Sequence, residues 1–127
     1  MAKKSISSKK SVLVIEDEKS MAQALELKLA HVGFRAQTAG NGEEGIAILK
    51  KQKFDLIILD LVMPKLDGFG VLQFLKDQGV TTPVIVLSNL SQVEDEKRAR
   101  ALGAKEFFIK SNTPIADIVE RVKKILT

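Results

Sequence analysis

The sequence predicts an α/β protein in which a five-stranded parallel sheet is doubly wound, with helices on both of its faces. Five short runs of aliphatic and β-branched residues alternate with five segments whose apolar residues recur at helical spacing. Such alternation implies parallel strands that are joined by right-handed crossovers. The stretch from Phe54 to Pro64 contains an apolar run that begins after Asp55 and stops at a second aspartate, Asp60. A continuous apolar run is typical of a strand buried on both faces, so we expect this strand at the centre of the sheet.

The composition indicates one ordinary globular domain. A chain of 127 residues is long enough to bury a substantial core but too short for two domains. The sequence contains no cysteine, which excludes disulfides, thiol nucleophiles and thiolate metal sites and is typical of a cytoplasmic protein. We therefore expect a cytoplasmic location.

The first ten residues, Met1 to Lys10, are basic, contain serine and have no apolar core. They predict a disordered tail, and neither a signal peptide nor a membrane span, so the folded domain is expected to cover residues 11–127. The four lysines of this tail account for the whole formal net charge of +4. Because no predicted helix carries a basic stripe with aromatic residues between its charges, we expect neither specific nucleic-acid binding nor a membrane partner.

Two strands and two helices are predicted before the central strand. Ser11 to Ile15 is a short buried strand, and the helix after it is expected to end at Gly33. The apolar face of that helix consists of Met21, Leu25, Leu29 and Val32. Phe34 to Ala39 predicts a weaker strand. Asn41 is expected to cap the second helix, with Glu44 at its third position. The side chains of this helix that turn inward are Ile46, Ile48 and Leu49.

A helix and a strand are predicted directly after the central strand. Asp67 precedes the start of the helix, and Gly79 ends it. Its apolar residues are Phe69, Val71, Leu72 and Leu75. Pro83 to Leu87 is another buried run, and Ser88 follows it.

The last part of the chain predicts a polar helix, a strand and an amphipathic helix. Ser91 and Glu94 have the spacing of a capping box for a helix from Gln92 to Leu102. This helix has few apolar residues, so most of its surface should face water or a partner. Lys105 to Ile109 is the fifth strand, and Pro114 is expected at the first position of the final helix. The apolar residues of that helix are Ile115, Ile118, Val119, Val122, Ile125 and Leu126.

Polar residues follow four of the five predicted strands, and the carboxyl ends of parallel strands meet along one edge of a sheet. The residues at these ends are Glu16, Asp17, Asp60, Ser88 and Lys110. Three neighbouring carboxylates repel one another and need a cation, and oxygen ligands without histidine or cysteine favour Mg²⁺. Such a site suits phosphoryl chemistry: Asp60 would be the nucleophile that forms an acyl phosphate, while Lys110 and Ser88 would stabilise the phosphoryl oxygens.

Each of these residues alone has an ordinary explanation. A carboxylate after a strand usually caps a helix, a serine usually belongs to a turn, and a lysine is usually solvated. Their joint occurrence at the ends of the appropriate strands favours a common functional role.

These residues lie in segments by which the chain closely resembles the receiver domains of two-component response regulators. The resemblance extends from Ser11 to Leu126 and rests on four segments. They are Val-Leu-Val-Ile-Glu-Asp-Glu, Asp-Leu-Ile-Ile-Leu-Asp-Leu-Val-Met-Pro-Lys-Leu-Asp-Gly, Val-Ile-Val-Leu-Ser and Gly-Ala-Lys-Glu-Phe-Phe-Ile-Lys. The resemblance implies a flavodoxin-like fold with the strand order 2-1-3-4-5 that this family is known for.

The resemblance also implies a mechanism. In the family, the aspartate that matches Asp60 accepts a phosphoryl group from a histidine kinase or a phosphotransfer protein, and the domain catalyses its own phosphoryl transfer and dephosphorylation but no other reaction. The Mg²⁺ ligands would be Glu16, Asp17, Asp60 and the backbone carbonyl of Val62. Ser88 and Lys110 would hold the phosphoryl group, and Ser88 and Phe107 would be the switch residues. The last two helices and the fifth strand would form the output face, for an unknown output protein or a weak dimer, with the monomer as the alternative.

Three residues depart from the usual pattern of the family. Ser111 stands where a proline with a cis peptide bond is common, and a cis bond before a non-proline residue costs about 2.5–4 kcal/mol, so the isomer is not predicted. Phe107 stands where tyrosine is common, and it has no hydroxyl to form a hydrogen bond. Asn89 is larger than the residue often found beside the serine, so it is expected to alter the lifetime of the phosphoryl group in a direction that the sequence does not predict.

Two other classes of protein with related chemistry or fold do not match the sequence. A hydrolase of the haloacid-dehalogenase type places two aspartates one residue apart after its first strand, and the segment Glu16-Asp17-Glu18 does not match. A flavin binder needs a phosphate loop at that position, and an acidic loop repels phosphate. The remaining alternative is a protein-interaction module with the receiver fold that is never phosphorylated. Such modules usually lack a site residue, and here all of the site residues are present.

The remaining charged residues have simpler interpretations. His31 is the only histidine, and its place at the end of the first helix predicts a structural or surface residue. The charges at 94–98 and at Arg100 indicate a solvated helix face, with contact to a partner as the alternative. We favour a stand-alone receiver, with a fragment of a longer regulator or hybrid kinase as the alternative. The sequence does not reveal the cognate kinase, the output partner or the lifetime of the phosphoryl group.

Overall fold

The computed structural model describes residues 9–90 and 92–127. In this part of the chain, five strands alternate with five helices, as predicted. The strands are β1 (Ser11–Ile15), β2 (Arg35–Ala39), β3 (Leu56–Asp60), β4 (Val84–Ser88) and β5 (Glu106–Ile109). The helices are α1 (Lys19–His31), α2 (Gly42–Lys51), α3 (Gly68–Asp77), α4 (Val93–Ala101) and α5 (Ile115–Leu126). A 3₁₀ helix at Lys110–Asn112, which the sequence did not predict, lies between β5 and α5.

The five strands form one parallel sheet with the order β2-β1-β3-β4-β5. The order that the family resemblance implied is therefore confirmed. All five residues of β3 are buried, which confirms the central strand expected from its apolar run. The fold is doubly wound and flavodoxin-like, as predicted.

Helices cover both faces of the sheet, and the side chains of the strands alternate between two apolar clusters. Ile57 and Leu59 of β3 pack in the cluster that also contains the buried residues of α3 and α4. Leu56 and Ile58 pack in the cluster that contains the buried residues of α1 and α5. This alternation follows from the two-residue period of a strand. Because apolar side chains fill both faces of the sheet, its edges are where polar groups can converge.

The predicted cap of α2 is confirmed, and Asp67, which was expected only to open α3, caps that helix. The side chain of Asn41 accepts a hydrogen bond from the N–H of Glu44 at 2.8 Å, while the carboxylate of Glu44 accepts one from the N–H of Gly40 at 2.6 Å. At the start of α3, the side chain of Asp67 accepts a hydrogen bond from the N–H of Gly70 at 3.0 Å. These bonds satisfy N–H groups that a helix leaves free at its first turn.

Other predicted helix ends differ slightly from the observed ones. Helix α4 is one residue shorter at each end, and its N-terminal cap, Gln92, makes no capping hydrogen bond with its side chain. The capping box that involves Ser91 lies outside the described residues. Pro114 is the N-terminal cap of α5 and not its first helical residue. Its fixed φ suits either position, so the pattern did not distinguish them.

Several expectations at the ends of elements need correction. Val32 was assigned to the apolar face of α1, but it follows the end of that helix and is 38% exposed. Strand β2 begins at Arg35, one residue later than predicted. Strand β5 begins at Glu106, also one residue later than predicted. His31 is exposed, in agreement with its predicted surface position.

The predicted tail, residues 1–10, is described only in part. Residues 1–8 lie outside the described residues, while the backbone carbonyl of Lys10 accepts a hydrogen bond from the N–H of Arg35 at 2.8 Å. The described residues contain no cis peptide bond, so the bond between Lys110 and Ser111 is trans. Within the same ranges, no helix has the length and apolar character that crossing a membrane requires.

Candidate functional site

The register of the sheet brings the predicted site residues to its carboxyl edge. Ile15 pairs with Leu59, so the residues that follow them, Glu16 and Asp60, lie at the same level on neighbouring strands. Asp60 in turn pairs with Leu87, which places Ser88 one residue beyond it on β4. Ser88 pairs with Ile109, the last residue of β5, so Lys110 lies one residue beyond it at the same edge. The edge therefore collects side chains that are far apart in the sequence, as predicted.

Three carboxylates form a cluster at this edge. Glu16, Asp17 and Asp60 each offer one oxygen, and these oxygens all lie within 4.8 Å of one another. Glu16 and Asp60 are almost completely buried, with 3% and 4% of their surface exposed, while Asp17 is exposed. The cluster is therefore open to solvent on the side of Asp17. Among the residues that the structure describes, this is the group of acidic side chains arranged to hold a metal ion.

Lys110 bridges the two buried carboxylates. Its Nζ atom lies 2.8 Å from Oε1 and 3.0 Å from Oε2 of Glu16, and 3.1 Å from Oδ2 of Asp60. Only 11% of the lysine side chain is exposed, so these ion pairs are only weakly screened by water. One ammonium cannot neutralise three carboxylates, and the cluster keeps an excess of negative charge.

Backbone N–H groups hold the carboxylates in place. The N–H of Val62 donates to Oδ1 of Asp60 at 3.2 Å, and the N–H of Glu18 donates to Oε2 of Glu16 at 3.1 Å. Oε1 of Glu16 is buried, and its polar contact among the described residues is the ion pair with Nζ of Lys110 at 2.8 Å. This oxygen is therefore already paired with a positive charge.

Burial changes the protonation of the cluster. It raises the pKa of Glu16 from 4.5 to about 7, and the neighbouring charge of Asp60 adds to this effect while Lys110 opposes it. Burial also raises the pKa of Asp60 above its usual value, against the opposing charge of Lys110. Burial by itself lowers the pKa of Lys110, but the hydrogen bond and charge of Glu16 and Asp60 outweigh it and raise that pKa. The pKa values of both buried carboxyls are therefore raised, because burial outweighs the ion pairs with Lys110.

The donor set fits a hard divalent cation. All of its side-chain atoms are carboxylate oxygens, which Mg²⁺ and Ca²⁺ prefer, and there is no cysteine or histidine among them. The excess negative charge of the cluster, in which one ammonium faces three carboxylates, fits the same cation. Mg²⁺ typically keeps several waters and uses one or two carboxylates, and the exposed side of the cluster leaves room for them.

Three other predicted residues occupy different surroundings. Ser88 is fully buried, and its hydroxyl oxygen accepts a hydrogen bond from the N–H of Leu90 at 3.0 Å. Val62 follows the acidic cluster on an exposed loop, with 57% of its surface exposed. Phe107 is half-buried on β5 and packs against the apolar cluster beneath α3 and α4, away from the carboxylates. The structure thus groups the charged residues closely, with Phe107 apart from them.

Glu18 is a site neighbour that the sequence did not single out. Its carboxylate lies 3.7 Å from Nζ of Lys110 and is mostly exposed. It was noted only as the last member of the acidic run after β1, because a run of three carboxylates does not show which of them turn inward. Its exposed position makes its ion pair with Lys110 weaker than the two buried ones.

Residues 12–123 match the protein family described as the response regulator receiver domain. Among curated proteins, the probable transcriptional regulator ycf27 of Porphyridium aerugineum is 38% identical over 118 residues, which are 93% of this chain and 48% of that protein. The chain spans about half the length of the curated relatives that it matches.

Solved structures give the same result. The receiver domain of the Francisella response regulator 1452 has a TM-score of 0.86 and 31% identity, and the match covers 91% of this chain and 95% of that one. The response regulator protein TrrA from Thermotoga maritima, solved in complex with Mg²⁺ and BeF, has a TM-score of 0.80 and 30% identity. That match covers 91% of this chain and 98% of the Thermotoga chain.

Proposed function

Because the chain belongs to the response regulator receiver domain family of two-component signalling, we propose that it is a phosphorylation-dependent switch whose acceptor is Asp60. The observation that carries this proposal is the surroundings of Asp60. Its carboxylate is 4% exposed, lies within a cluster of three carboxylates and has Oδ2 3.1 Å from Nζ of Lys110. A carboxylate that is buried among like charges beside a lysine is suited to phosphoryl transfer once the excess charge is compensated.

Asp60 would act as the nucleophile. One of its carboxylate oxygens attacks the phosphorus of a phosphohistidine on a histidine kinase or phosphotransfer protein, and a P–O bond forms as the P–N bond breaks. The electron pair of the broken bond stays on the imidazole nitrogen, and the product is an acyl phosphate. Water later attacks the same phosphorus and restores the carboxylate, so the domain catalyses both its own phosphorylation and its own dephosphorylation.

Mg²⁺ bound by Glu16, Asp17, Asp60 and the backbone carbonyl of Val62 would neutralise charge on the phosphoryl oxygens. The chain's own residues supply the rest of the site. Lys110 already contacts Asp60, and its ammonium can pair with a phosphoryl oxygen. The N–H of Val62 holds the other carboxylate oxygen of Asp60 and orients the nucleophile.

Ser88 and Phe107 would link the phosphoryl group to the output face. The hydroxyl of Ser88 can donate to a phosphoryl oxygen while its oxygen still accepts from Leu90. Phe107 is half-buried two positions before the end of β5 and would move inward as Ser88 shifts. We propose that these two changes alter the face of α4, β5 and α5, where an unknown output protein or a second copy of the chain binds. A charge added at a bistable element is enough to drive such a switch.

The test uses beryllofluoride, which imitates a phosphoryl group on aspartate, and records amide NMR spectra of the protein. With Mg²⁺ present, the wild type should show shifts at the Asp60 loop and across α4, β5 and α5. Asp60→Asn should show none, and neither should the wild type without Mg²⁺. Ser88→Ala should respond at the Asp60 loop with smaller shifts at the output face.

A lack of response in the wild type would contradict the switch and favour the alternative, a protein-interaction module that is never phosphorylated. Treatment with a small phosphoramidate donor is an independent check: mass spectrometry should show one added phosphoryl group in the wild type and none in Asp60→Asn. The output partner, the dimer and the cytoplasmic location stay predictions.

A further inference from the structure

The loop between β3 and α3 carries part of the proposed cation site, and its residues differ in how firmly their side chains are held. Val62 is 57% exposed, and Pro64 and Lys65 are also exposed. Lys65 has a φ of +69°, in the left-handed region that a side chain disfavours. Leu61 and Met63, on either side of Val62, are buried and anchor the first half of the loop, whereas Pro64 and Lys65 leave its second half to be held by other contacts.

The carboxyl-terminal part of this loop is pressed against two helices at glycine positions. A Cβ atom on Gly42, in the first turn of α2, would overlap the carbonyl oxygen of Leu66 and lie 2.9 Å from the Leu66 Cβ. A Cβ atom on Gly70, in the first turn of α3, would lie 2.5 Å from Cδ1 of Leu66. Leu66 therefore sits in a notch whose two walls are the backbones of α2 and α3.

Backbone conformation does not explain these two glycines. Neither of them has a positive φ, unlike Gly33, Gly79 and Gly103. Glycine is also less favourable than alanine within a helix, by up to about 1 kcal/mol. The close approach of Leu66 is the remaining reason for glycine at both positions.

We propose that Gly42 and Gly70 are positioning residues for the cation site: they seat Leu66 and thereby hold the loop that presents the backbone of Val62 to Asp60. This inference rests on the proposed function, because Val62 supplies its carbonyl to Mg²⁺ there. The amino-terminal end of the loop is closed by a hydrogen bond from the N–H of Gly68 to the carbonyl of Leu61 at 2.9 Å. The notch closes the other end, and Val62 lies between the two.

The two glycines make different predictions, because they contact different parts of Leu66. A methyl group at position 42 meets the backbone of Leu66, so shortening the leucine side chain cannot relieve it. A methyl group at position 70 meets only the end of that side chain, so shortening it does relieve the overlap. Position 70 therefore serves as a control for position 42, because shortening Leu66 should relieve the overlap at position 70 and not at position 42.

The experiment measures Mg²⁺ affinity by calorimetry, and hydrogen exchange of the Val62 amide in the metal-free protein. Gly42→Ala should weaken Mg²⁺ binding about tenfold or more, which is the usual effect of displacing a group that orients a metal ligand, and should speed exchange at Val62. Gly33→Ala is the matched control, since a residue at φ +101° is strained by the same substitution but has no atoms nearby to displace. It should lower stability and leave Mg²⁺ affinity and Val62 exchange unchanged.

A double-mutant cycle completes the test and remains available if Gly42→Ala does not fold. Gly70→Ala combined with Leu66→Ala should bind Mg²⁺ more tightly than the sum of the single effects predicts, whereas a cycle between Gly33→Ala and Leu66→Ala should be additive within about twofold. The inference would be overturned if Gly42→Ala bound Mg²⁺ with wild-type affinity and its Val62 amide exchanged at the wild-type rate. Additive effects in the Gly70 cycle would overturn it as well. Failure of the wild type to bind Mg²⁺ would instead contradict the proposed function, and Val62 exchange would still test the notch.

Discussion

Nζ of Lys110 lies 2.8 Å from a carboxylate oxygen of Glu16 and 3.0 Å from the other, although the two residues are 94 positions apart in the sequence. The same ammonium contacts Asp60 at 3.1 Å. One lysine thus links the ends of β1, β3 and β5. Its removal would leave two buried carboxylates facing each other without compensation.

Lys110→Met should destabilise the metal-free protein. The loss of one partner from a buried ion pair costs about 3–5 kcal/mol, and the cost should be smaller at pH 5, where protonation of Glu16 reduces the repulsion. Urea unfolding at pH 5 and pH 8 measures the change, with Lys123→Met as the control, because the ion pair of Lys123 with Glu120 is largely exposed. If the two variants lose the same stability at pH 8, Lys110 has no special role in the metal-free cluster.

The metal-free protein should become less stable as the pH rises from about 4.5 to about 7. The folded pKa of Glu16, about 7, lies above its ordinary value of 4.5, so the folded state holds the proton more tightly than the unfolded state does. This contribution is fully present below about 4.5 and is lost as the pH passes through the folded value; a shift of this size corresponds to about 3 kcal/mol at most. The raised pKa of Asp60 acts in the same direction.

Urea unfolding in a chelator between pH 4.5 and pH 8 checks this dependence. Glu16→Gln should flatten the profile, since it removes the titrating group. Added Mg²⁺ should raise stability most at pH 8, because a cation binds the deprotonated carboxylates. A stability that increases between pH 5 and pH 7 in the chelated wild type would contradict the prediction.

Helix α4 is held to α3 by a cation–π contact in which the guanidinium carbon of Arg98 lies 4.0 Å from the centre of the Phe69 ring. Ala99 is the only buried residue of α4, so this contact adds to a small buried attachment. Arg98→Met should lower the free energy of unfolding by about 0.5–1 kcal/mol. A cycle of Arg98→Met with Phe69→Leu should show coupling, and a cycle of the neighbouring Lys97→Met with Phe69→Leu should show none. Equal coupling in the two cycles would contradict the contact.

Asn41→Ala should remove the cap of α2 and cost about 1 kcal/mol, because the Glu44 N–H loses the side-chain oxygen that it donates to. Gln92→Ala is the matched control at the start of α4, where the side chain of Gln92 makes no capping hydrogen bond. It should change stability by less than about 0.5 kcal/mol. Thermal unfolding of both variants measures the loss of stability, and equal losses would contradict the assigned cap.

Much of the architecture could be predicted because its causes are local. The apolar run of β3 and the capping pattern at Asn41 are visible in a few consecutive residues, and both were confirmed. The ends of elements were less predictable where two conformations satisfy the same pattern. Pro114 suits the cap as well as the first turn, and Val32 continues the spacing of α1 although the helix has already ended.

The sequence by itself determined the sheet, its alternation with helices and the set of polar residues that follow its strands, since each depends on neighbours within one element. Only the tertiary structure decided how those residues meet: that Lys110 spans Glu16 and Asp60, that Glu18 joins them, and that Leu66 is seated against Gly42. The physical reason is that burial, charge compensation and close backbone approach arise between elements that are distant in the chain. No local pattern encodes them, because they depend on packing of the whole fold.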